Sequence, residues 1–126
     1  MNGVATISAM AIILLSGIRL SSAENGTIVR LAELEIDAAQ LENYKAALKE
    51  EIETSIRIEP GVLSLSAVAV RDNPTQIRIL EVYANDAAYK SHIETPHFKK
   101  YKTLTQNMVK SLKLIDTVPI VLGAKK

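Results

Sequence analysis

Residues 62–83, VLSLSAVAVRDNPTQIRILEVY, contain two stretches typical of β-strands on either side of a short turn. The stretches Val62–Arg71 and Gln76–Tyr83 are rich in β-branched and aliphatic residues. The residues between them, DNPT at positions 72–75, have side chains that favour turns. So short a link predicts that the two strands form an antiparallel hairpin.

A strand and a helix are predicted before this hairpin. The strand is Thr27–Ile36, and Asp37 follows it as a helix N-cap, with Gln40 three residues later in a capping-box arrangement. Apolar side chains then recur at steps of three and four residues, which places them on one helical stripe. They are Leu41, Tyr44, Leu48, Ile52 and Ile56. Proline and glycine in EPG, residues 59–61, end the helix.

Two short helices and a last strand are predicted after the hairpin. Asn85 or Asp86 caps a helix that runs to about Ile93, and Thr95-Pro96 begins another. The last strand is predicted over Leu112–Leu122, where Pro119 marks an edge position or the exit of the strand. The order βαββαβ predicts an α+β, ferredoxin-like fold: a four-stranded antiparallel sheet with helices on one face.

The sheet is expected to be apolar on both faces, although helices cover only one. In the first strand, Leu31 alternates with Ala32 and Leu34, and the second strand alternates in the same way. A second apolar face has to be covered, and pairing of two sheets in a homodimer covers it economically. We therefore expect a homodimer that forms through the sheet faces.

Length, composition and charge exclude several classes of protein. A chain of 126 residues suits one domain, and 48% hydrophobic with 23% charged residues is typical of a globular protein. The net charge of +1, without a basic stripe interleaved with aromatic residues, argues against nucleic acid as a partner. The absence of cysteine excludes disulfides, thiolate metal sites and a cysteine nucleophile.

The N-terminus has the pattern of a secretory signal peptide. The apolar run Val4–Ile18 is followed by Ser21-Ser22-Ala23, with small residues at the positions that precede a cleavage site. We expect a leader at 1–23, a linker at 24–26, a domain at 27–122 and a tail at 123–126. Cleavage after Ala23 would give a periplasmic or secreted protein without stable membrane association, and the alternative is a retained N-terminal membrane anchor.

Residues 81–101 hold most of the groups that could carry chemistry: both histidines, three of the four tyrosines and the only phenylalanine. His92 and His97 are five residues apart across the Thr95-Pro96 break, so they cannot share a face of one helix. No constellation of ligands at usable spacing completes a metal site, and none is predicted. No glycine-rich phosphate loop or nucleophile elbow is present either.

Each candidate residue in this segment has two interpretations. His97, at the start of a helix, either lines a pocket as a base or caps and packs locally. In its structural interpretation, His92 lies on a helix face near Tyr89 and hydrogen-bonds locally. Glu81 either forms a structural ion pair, with Arg78 or Arg30, or faces a substrate as an acid or base.

Several short motifs resemble the antibiotic-biosynthesis monooxygenase (ABM) domain family, and in particular its quinol-monooxygenase-like members. They are EPG at 59–61, DNP at 72–74, EVY at 81–83, AYKSH at 88–92 and TPHF at 95–98. The resemblance covers about Thr27 to Leu122. It implies a ferredoxin-like fold that dimerises into a shared α/β-barrel, with a pocket between sheet and helices in each subunit. It also implies oxygenation of a small quinol or phenol by O₂, with no metal, flavin or other cofactor.

The resemblance also implies residue roles. His97 would act as base or orient the substrate, with Glu81 and His92 as further catalytic residues. The substrate would contact Tyr83, Tyr101, Phe98 and Leu65. The chain has no tryptophan, unlike the haem-degrading members of the family, so haem breakdown is not expected.

Two other function classes stay open. The same fold serves isomerases and mutarotases, which would use Glu81 and a histidine to move protons on a small metabolite. It also serves non-catalytic binding proteins. An apolar pocket with one or two polar groups favours the quinol, and several charged groups favour the isomerase. The lack of a cavity would favour simple binding.

Overall fold

The computed structural model describes residues 26–126. Its strands are β1 (Ile28–Ile36), β2 (Val62–Val70), β3 (Asn73–Tyr83) and β4 (Val109–Thr117). Its α-helices are α1 (Leu41–Ile58), α2 (Asp86–His92) and α3 (Pro96–Thr105), and a 3₁₀ turn, Ala38–Gln40, precedes α1. The predicted order βαββαβ, with the second helical region broken in two, is confirmed. The predicted leader lies outside the described residues, and within 26–126 no helix is long and apolar enough to cross a bilayer.

The four strands form one antiparallel sheet in the order β2-β3-β1-β4. In the centre of the sheet Leu31 of β1 faces Leu80 of β3 on one side and Ile115 of β4 on the other. The hairpin between β2 and β3 is tighter than predicted, because Val70 pairs with Asn73. The predicted ferredoxin-like α+β fold is confirmed.

The core lies between the sheet and helices α1 and α3. Its buried members come from β1, β3 and the two helices: Ala32, Leu34, Ile36, Tyr44, Leu48, Ile77, Ile79 and Tyr101. Two of them are tyrosines whose hydroxyl groups are 2.7 Å apart and hydrogen-bond to each other. This pairing satisfies the polar ends of both rings inside an otherwise apolar layer.

The prediction for the last strand, Leu112–Leu122, is wrong at both ends. β4 begins at Val109, opposite Ile36, and ends at Thr117, opposite Val29. Among residues 26–126 its neighbour in the sheet is β1, which begins at Ile28, so the chain after Thr117 runs past the end of this partner strand. The apolar residues that follow are exposed, Ile120 at 99%. Apolar composition alone therefore extended the predicted strand too far.

The N-terminal cap of α1 also differs from the prediction. Asp37 accepts a hydrogen bond from the amide of Ala39 (3.4 Å), so it caps the 3₁₀ turn that leads into α1. The backbone N–H of Asp37 donates to the carbonyl of Met108 and not to the side chain of Gln40. The reciprocal half of the predicted capping box is therefore replaced by a contact with the residue before β4.

The buried stripe of α1 turns away from the predicted one in its second half. The buried residues are Tyr44, Leu48, Glu51 and Ser55. Ile56, predicted to be on the stripe, is 48% exposed. Steps of four, three and four residues still follow the helical period. The stripe therefore carries a carboxylate and a hydroxyl into the interior.

The sheet face away from the helices has an apolar centre. Leu31, Leu80 and Ile115 lie side by side across three strands, and Val68 of β2 is close by. Leu80 is 40% exposed and Val68 is 62% exposed. The expected homodimer would cover this face, and it stays a prediction.

Candidate functional site

A cavity of about 450 Å³ lies between the sheet and the helices. Most of its lining is aliphatic or aromatic. These residues are Ala32, Leu34, Leu48, Ile52, Leu65, Ile79, Tyr83, Tyr89, Ile93, Phe98, Tyr101, Val109, Leu112 and Leu114. Exposed polar side chains of α3 and β4, among them Lys102 and Lys110, line it where these elements face solvent. Its volume lies in the range of small-molecule pockets.

Glu81 and Tyr83, which belong to the last three residues of β3, line the cavity. Residues two apart on a strand point to the same face, and here that face is the one beneath the helices. The Tyr83 hydroxyl donates to Glu81 Oε1 at 2.7 Å. Burial raises the pKa of Glu81, although the hydrogen bond from Tyr83 and the charge of Arg30 oppose the shift. Burial raises the pKa of Tyr83, and the negative charge of Glu81 raises it further.

The predicted ion pairs of Glu81 are not formed. Arg30 lies opposite Glu81 in the β1–β3 register, but its Nε donates to Asp116 at 2.9 Å. Its guanidinium also lies 4.2 Å from the centre of the Tyr89 ring. Arg78 lies 3.8 Å from Glu33 instead. The close partner of Glu81 is therefore the neutral hydroxyl of Tyr83. The negative charge of the carboxylate is compensated less than it would be in an ion pair.

His92, the last residue of α2, lines the cavity and is 2% exposed. Its Nδ1 lies 3.1 Å from Oε2 of Glu59, and its Nε2 lies 3.4 Å from Oε1 of Glu51. The ring also packs against Phe98 and Tyr83, with centroids 5.0 and 5.3 Å away. The expected local hydrogen bond near Tyr89 is therefore wrong, because both ring nitrogens face carboxylates from α1 and its C-cap.

His97 lies in the first turn of α3 and does not share the lining of the large cavity. Its Nε2 is 2.5 Å from Oε2 of Glu59. Its ring lines a small separate depression together with Glu50, Lys100 and Leu104. The expectation that His97 lines the substrate pocket therefore does not match its position, because the first turn of α3 directs the ring towards the C-cap of α1.

Two carboxylates that sequence reasoning missed organise this site. Burial raises the pKa of Glu51, although Ser55 donates a hydrogen bond to its Oε1 at 2.8 Å. Burial also acts to raise the pKa of Glu59, but the hydrogen bonds with His97 and His92 outweigh it, so that pKa is lowered. The sequence does contain one indication that Glu51 faces inward. It lies seven residues, or about two helical turns, after Tyr44 and therefore on the same side of α1.

The two histidines meet in space although they are separated along the chain by a helix break. Their ring centroids are 6.5 Å apart. One ligand atom from each of Glu51, His92 and His97 lies within 4.8 Å of the others. The two histidines do not share a face of one helix, but the break between them lets α3 return towards α1. The expectation from their spacing that they belong to no common cluster is therefore wrong.

The four residues predicted to contact a substrate, Leu65, Tyr83, Phe98 and Tyr101, all line the large cavity. Glu81 and His92 line it as well, and His97 reaches it only through Glu59 and His92. The roles of these residues in binding or catalysis remain predictions. Their positions give an apolar chamber with acid–base groups in its wall.

Comparison with known proteins identifies relatives of this chain. The family model described as antibiotic biosynthesis monooxygenase matches residues 27–104. A crystal structure of a proposed antibiotic biosynthesis monooxygenase from Bacteroides thetaiotaomicron VPI-5482 is 56% identical, with a TM-score of 0.77, over 80% of this chain and 96% of that one. No protein of curated function matches the sequence.

Two further structures extend the comparison. A proposed monooxygenase from Lactobacillus acidophilus NCFM is 38% identical, with a TM-score of 0.73, and the match covers 76% of this chain but 46% of that one. A proposed antibiotic biosynthesis monooxygenase from Nitrosomonas europaea is 22% identical, with a TM-score of 0.71, over 76% of this chain and 92% of that one. At 22% identity, the similarity to the Nitrosomonas europaea protein shows that the two chains share a fold and no more.

Proposed function

The chain belongs to the antibiotic biosynthesis monooxygenase family, and on that premise we propose that it oxygenates a small quinol or phenol with O₂, using neither metal nor flavin. The observation that carries the proposal is the cavity of about 450 Å³, with mostly apolar walls and with His92, Glu51 and Glu81 in its lining. A flat aromatic substrate suits such walls, and its hydroxyl group needs a base.

In the proposed reaction His92 takes the proton of a substrate hydroxyl through Nε2. Glu59, hydrogen-bonded to Nδ1 and holding a lowered pKa, stabilises the imidazolium that results. The electron-rich anion then reduces O₂. Overall, a quinol and O₂ give a hydroxyquinone and water: one oxygen atom enters the ring, the other leaves as water, and the substrate supplies all four electrons.

The walls of the cavity support this chemistry in two ways. Phe98 and Tyr101, from α3, and Leu65, from β2, offer apolar surface on which an aromatic ring can lie. Exclusion of water by the same surface strengthens electrostatic interactions with the anion and protects it from protonation. The Tyr83 hydroxyl donates its proton to Glu81, so its oxygen can accept a hydrogen bond from a hydroxyl group of a bound ligand.

Oxygen uptake by metal-stripped protein, measured with a panel of reduced benzo- and naphthoquinones, tests the proposal. We expect uptake above autoxidation with at least one quinol, and a rate about 10²–10⁴-fold lower in His92→Gln, the range for loss of a general base. Glu94→Gln is the matched control, since Glu94 is exposed and pairs only with Lys99 at 3.0 Å among the described residues. No uptake above background with any quinol would contradict the proposal.

A specific observation favours isomerisation as a second candidate. Two carboxylates of the cavity wall, Glu51 and Glu81, have raised pKa values, and His92 lies beside one of them. Such groups can move protons on a small polar metabolite. Hydroxy-carbonyl compounds incubated with the protein in D₂O would then exchange a C–H proton, detected by NMR, without consuming O₂. Tight quinone binding with neither reaction would instead favour a binding protein.

We also propose that two copies of the domain pair through the outer sheet faces. Leu31, Leu80, Ile115 and Val68 give this face its apolar centre. Sedimentation of the wild type is expected to give a dimer, and Leu80→Glu is expected to give a monomer, because it buries a charge at the centre of the contact. A stable wild-type monomer at micromolar concentration would contradict this part of the proposal.

A periplasmic or secreted location is proposed from the leader pattern. Expression of the full chain in a Gram-negative host, with fractionation and mass spectrometry, should recover a form that begins at Glu24. Recovery of the intact chain from the membrane fraction would favour the N-terminal anchor instead.

A further inference from the structure

We propose that Glu51, His92 and His97 form a binding site for a divalent first-row metal ion, with zinc as the best-suited ion. The three residues come from three helices: the third turn of α1, the end of α2 and the start of α3. One ligand atom from each lies within 4.8 Å of the others. The proposal stands on this geometry and is independent of the proposed oxygenation.

The distances are close to those that a metal ion requires. Zn–N and Zn–O bonds of about 2.0–2.2 Å in tetrahedral geometry place neighbouring ligand atoms about 3.3–3.6 Å apart. His92 Nε2 and Glu51 Oε1 are already 3.4 Å apart. His97 needs a shift on the order of 1 Å, and it would exchange its contact with Glu59 for the metal. Two imidazoles and one carboxylate are a zinc ligand set that leaves one position for water.

Glu59 supplies the outer partner that such a site needs. Metal-binding histidines usually donate their other ring nitrogen to a carboxylate, which fixes the ring and strengthens it as a ligand. Nδ1 of His92 lies 3.1 Å from Glu59 Oε2, so Nε2 is left facing Glu51. Ser55 donates to Glu51 Oε1 at 2.8 Å and orients that carboxylate too.

Charge and access also fit a metal ion. The side chains of Glu51 and Glu59 are 6% and 12% exposed, so a cation beside them would compensate buried negative charge. A divalent cation with two neutral imidazoles would balance Glu51 and Glu59. Glu51 lines both the large cavity and the small depression beside His97, so the cluster borders both.

Metal binding would occupy Nε2 of His92, which lies 3.4 Å from Glu51 Oε1 and is the nitrogen assigned above to take the substrate proton. A bound ion and a free base at this atom therefore exclude each other. We expect Zn²⁺ to inhibit any reaction that uses His92 as a base, which makes the site a control point for the cavity.

Metal binding can be measured directly on the untagged, chelator-treated full domain. The chain has two histidines and no cysteine, so tight binding of a borderline metal must use this cluster. Calorimetry with Zn²⁺ should show one ion per chain. Co²⁺ should develop the strong visible absorption of a tetrahedral or five-coordinate ion. His97→Gln should weaken Zn²⁺ binding by at least about 100-fold, and Glu59→Gln by about 10–100-fold.

The controls distinguish Zn²⁺ binding at this cluster from binding elsewhere on the surface and from the effects of misfolding. Glu94→Gln changes an exposed carboxylate and should leave Zn²⁺ affinity unchanged. His97 is the variant of choice because its side chain is 13% exposed and its loss is easier to accommodate than that of His92; circular dichroism checks the fold. The proposal is overturned if the folded wild type binds no Zn²⁺ at micromolar concentration, or if His97→Gln binds it as well as the wild type. Failure of oxygen uptake would not affect this result.

Discussion

The carboxylate of Glu59 lies 2.5 Å from Nε2 of His97, although the two residues are 38 positions apart in the chain. The same carboxylate contacts Nδ1 of His92 at 3.1 Å. Glu59 is the C-cap of α1, so one side chain ties the end of this helix to the end of α2 and the start of α3. The three helices that wall the cavity therefore meet at one carboxylate.

We predict that Glu59→Gln lowers the free energy of unfolding at pH 7 by about 1–3 kcal/mol, the cost of losing hydrogen bonds to a charged carboxylate. The pKa of Glu59 is lowered by His97 and His92, with help from Ser55 and against the effect of burial. A lowered pKa gives stability that is present above the unfolded value of 4.5 and is lost as the pH falls through the folded value.

Urea unfolding at a series of pH values checks this prediction. The difference between wild type and Glu59→Gln should be largest at neutral pH and should shrink below about pH 4.5. Glu53→Gln is the control, since Glu53 is exposed and pairs with Lys49 on the surface of α1. A difference that stays constant down to pH 3 would contradict the assigned role of the Glu59 charge.

Gly61 allows α2 to pack closely on the turn that follows Glu59. A Cβ atom at Gly61 would lie 2.5 Å from the Cβ of Ala88, closer than two carbon atoms can approach. We predict that Gly61→Ala destabilises the domain by about 1–3 kcal/mol through this overlap. Gly123→Ala is the matched control, because nothing lies within 4 Å of a Cβ there, and it should leave the melting temperature unchanged.

Partial rescue distinguishes overlap from a backbone effect. Ala88→Gly removes the atom that clashes, so the double variant Gly61→Ala, Ala88→Gly should recover stability relative to Gly61→Ala. An additive loss in the double variant would show that the cost at Gly61 does not come from contact with Ala88.

The fold was predictable because its signals are local. The hairpin, the apolar stripe of α1 up to Leu48 and the caps at Asn85 and Thr95 depend on residues a few positions apart. The structure confirms both caps, which accept hydrogen bonds from the amides of Ala88 and Phe98. The end of β4 was not predictable from local composition, because it depends on where the partner strand β1 begins.

The site was harder to predict because it is formed by tertiary contacts. The sequence indicated the segment that holds His92 and His97, but the carboxylates that face them are on α1 and its C-cap. A stripe defined by apolar residues omits Glu51, although the helical period counted from Tyr44 places it on the inward side. The contact of its carboxylate with His92 depends on how α2 packs against α1, which the local sequence does not show.

The hydroxyl groups of Tyr44 and Tyr101 form a buried pair, and we predict that they are coupled energetically. Tyr101→Phe leaves the Tyr44 hydroxyl, whose pKa burial raises to about 12, without its partner at 2.7 Å. The expected loss is about 1–2 kcal/mol in the free energy of unfolding. The double variant with both rings changed to Phe should lose less than the sum of the single variants. Strict additivity in guanidinium unfolding would refute the coupling.

Glu81 should reduce the stability of the domain at neutral pH. Burial raises its pKa, so the folded state binds the proton more tightly than the unfolded state does. The stability linked to that proton is complete below the unfolded value of 4.5 and is lost as the pH rises through the folded value. We therefore predict that Glu81→Gln, which stays neutral and can still accept the Tyr83 hydrogen bond, stabilises the domain by about 1 kcal/mol at pH 7.

The gain from Glu81→Gln should disappear in acid, because wild-type Glu81 is then protonated and neutral as well. Melting temperatures of the two proteins between pH 4 and 8 measure this difference. Glu33→Gln, on the outer face of the same sheet beside Arg78, is the control and should show no such gain at neutral pH. A variant that is less stable than wild type at pH 7 would mean that the charge of Arg30 outweighs burial and that the carboxylate is ionised at this pH.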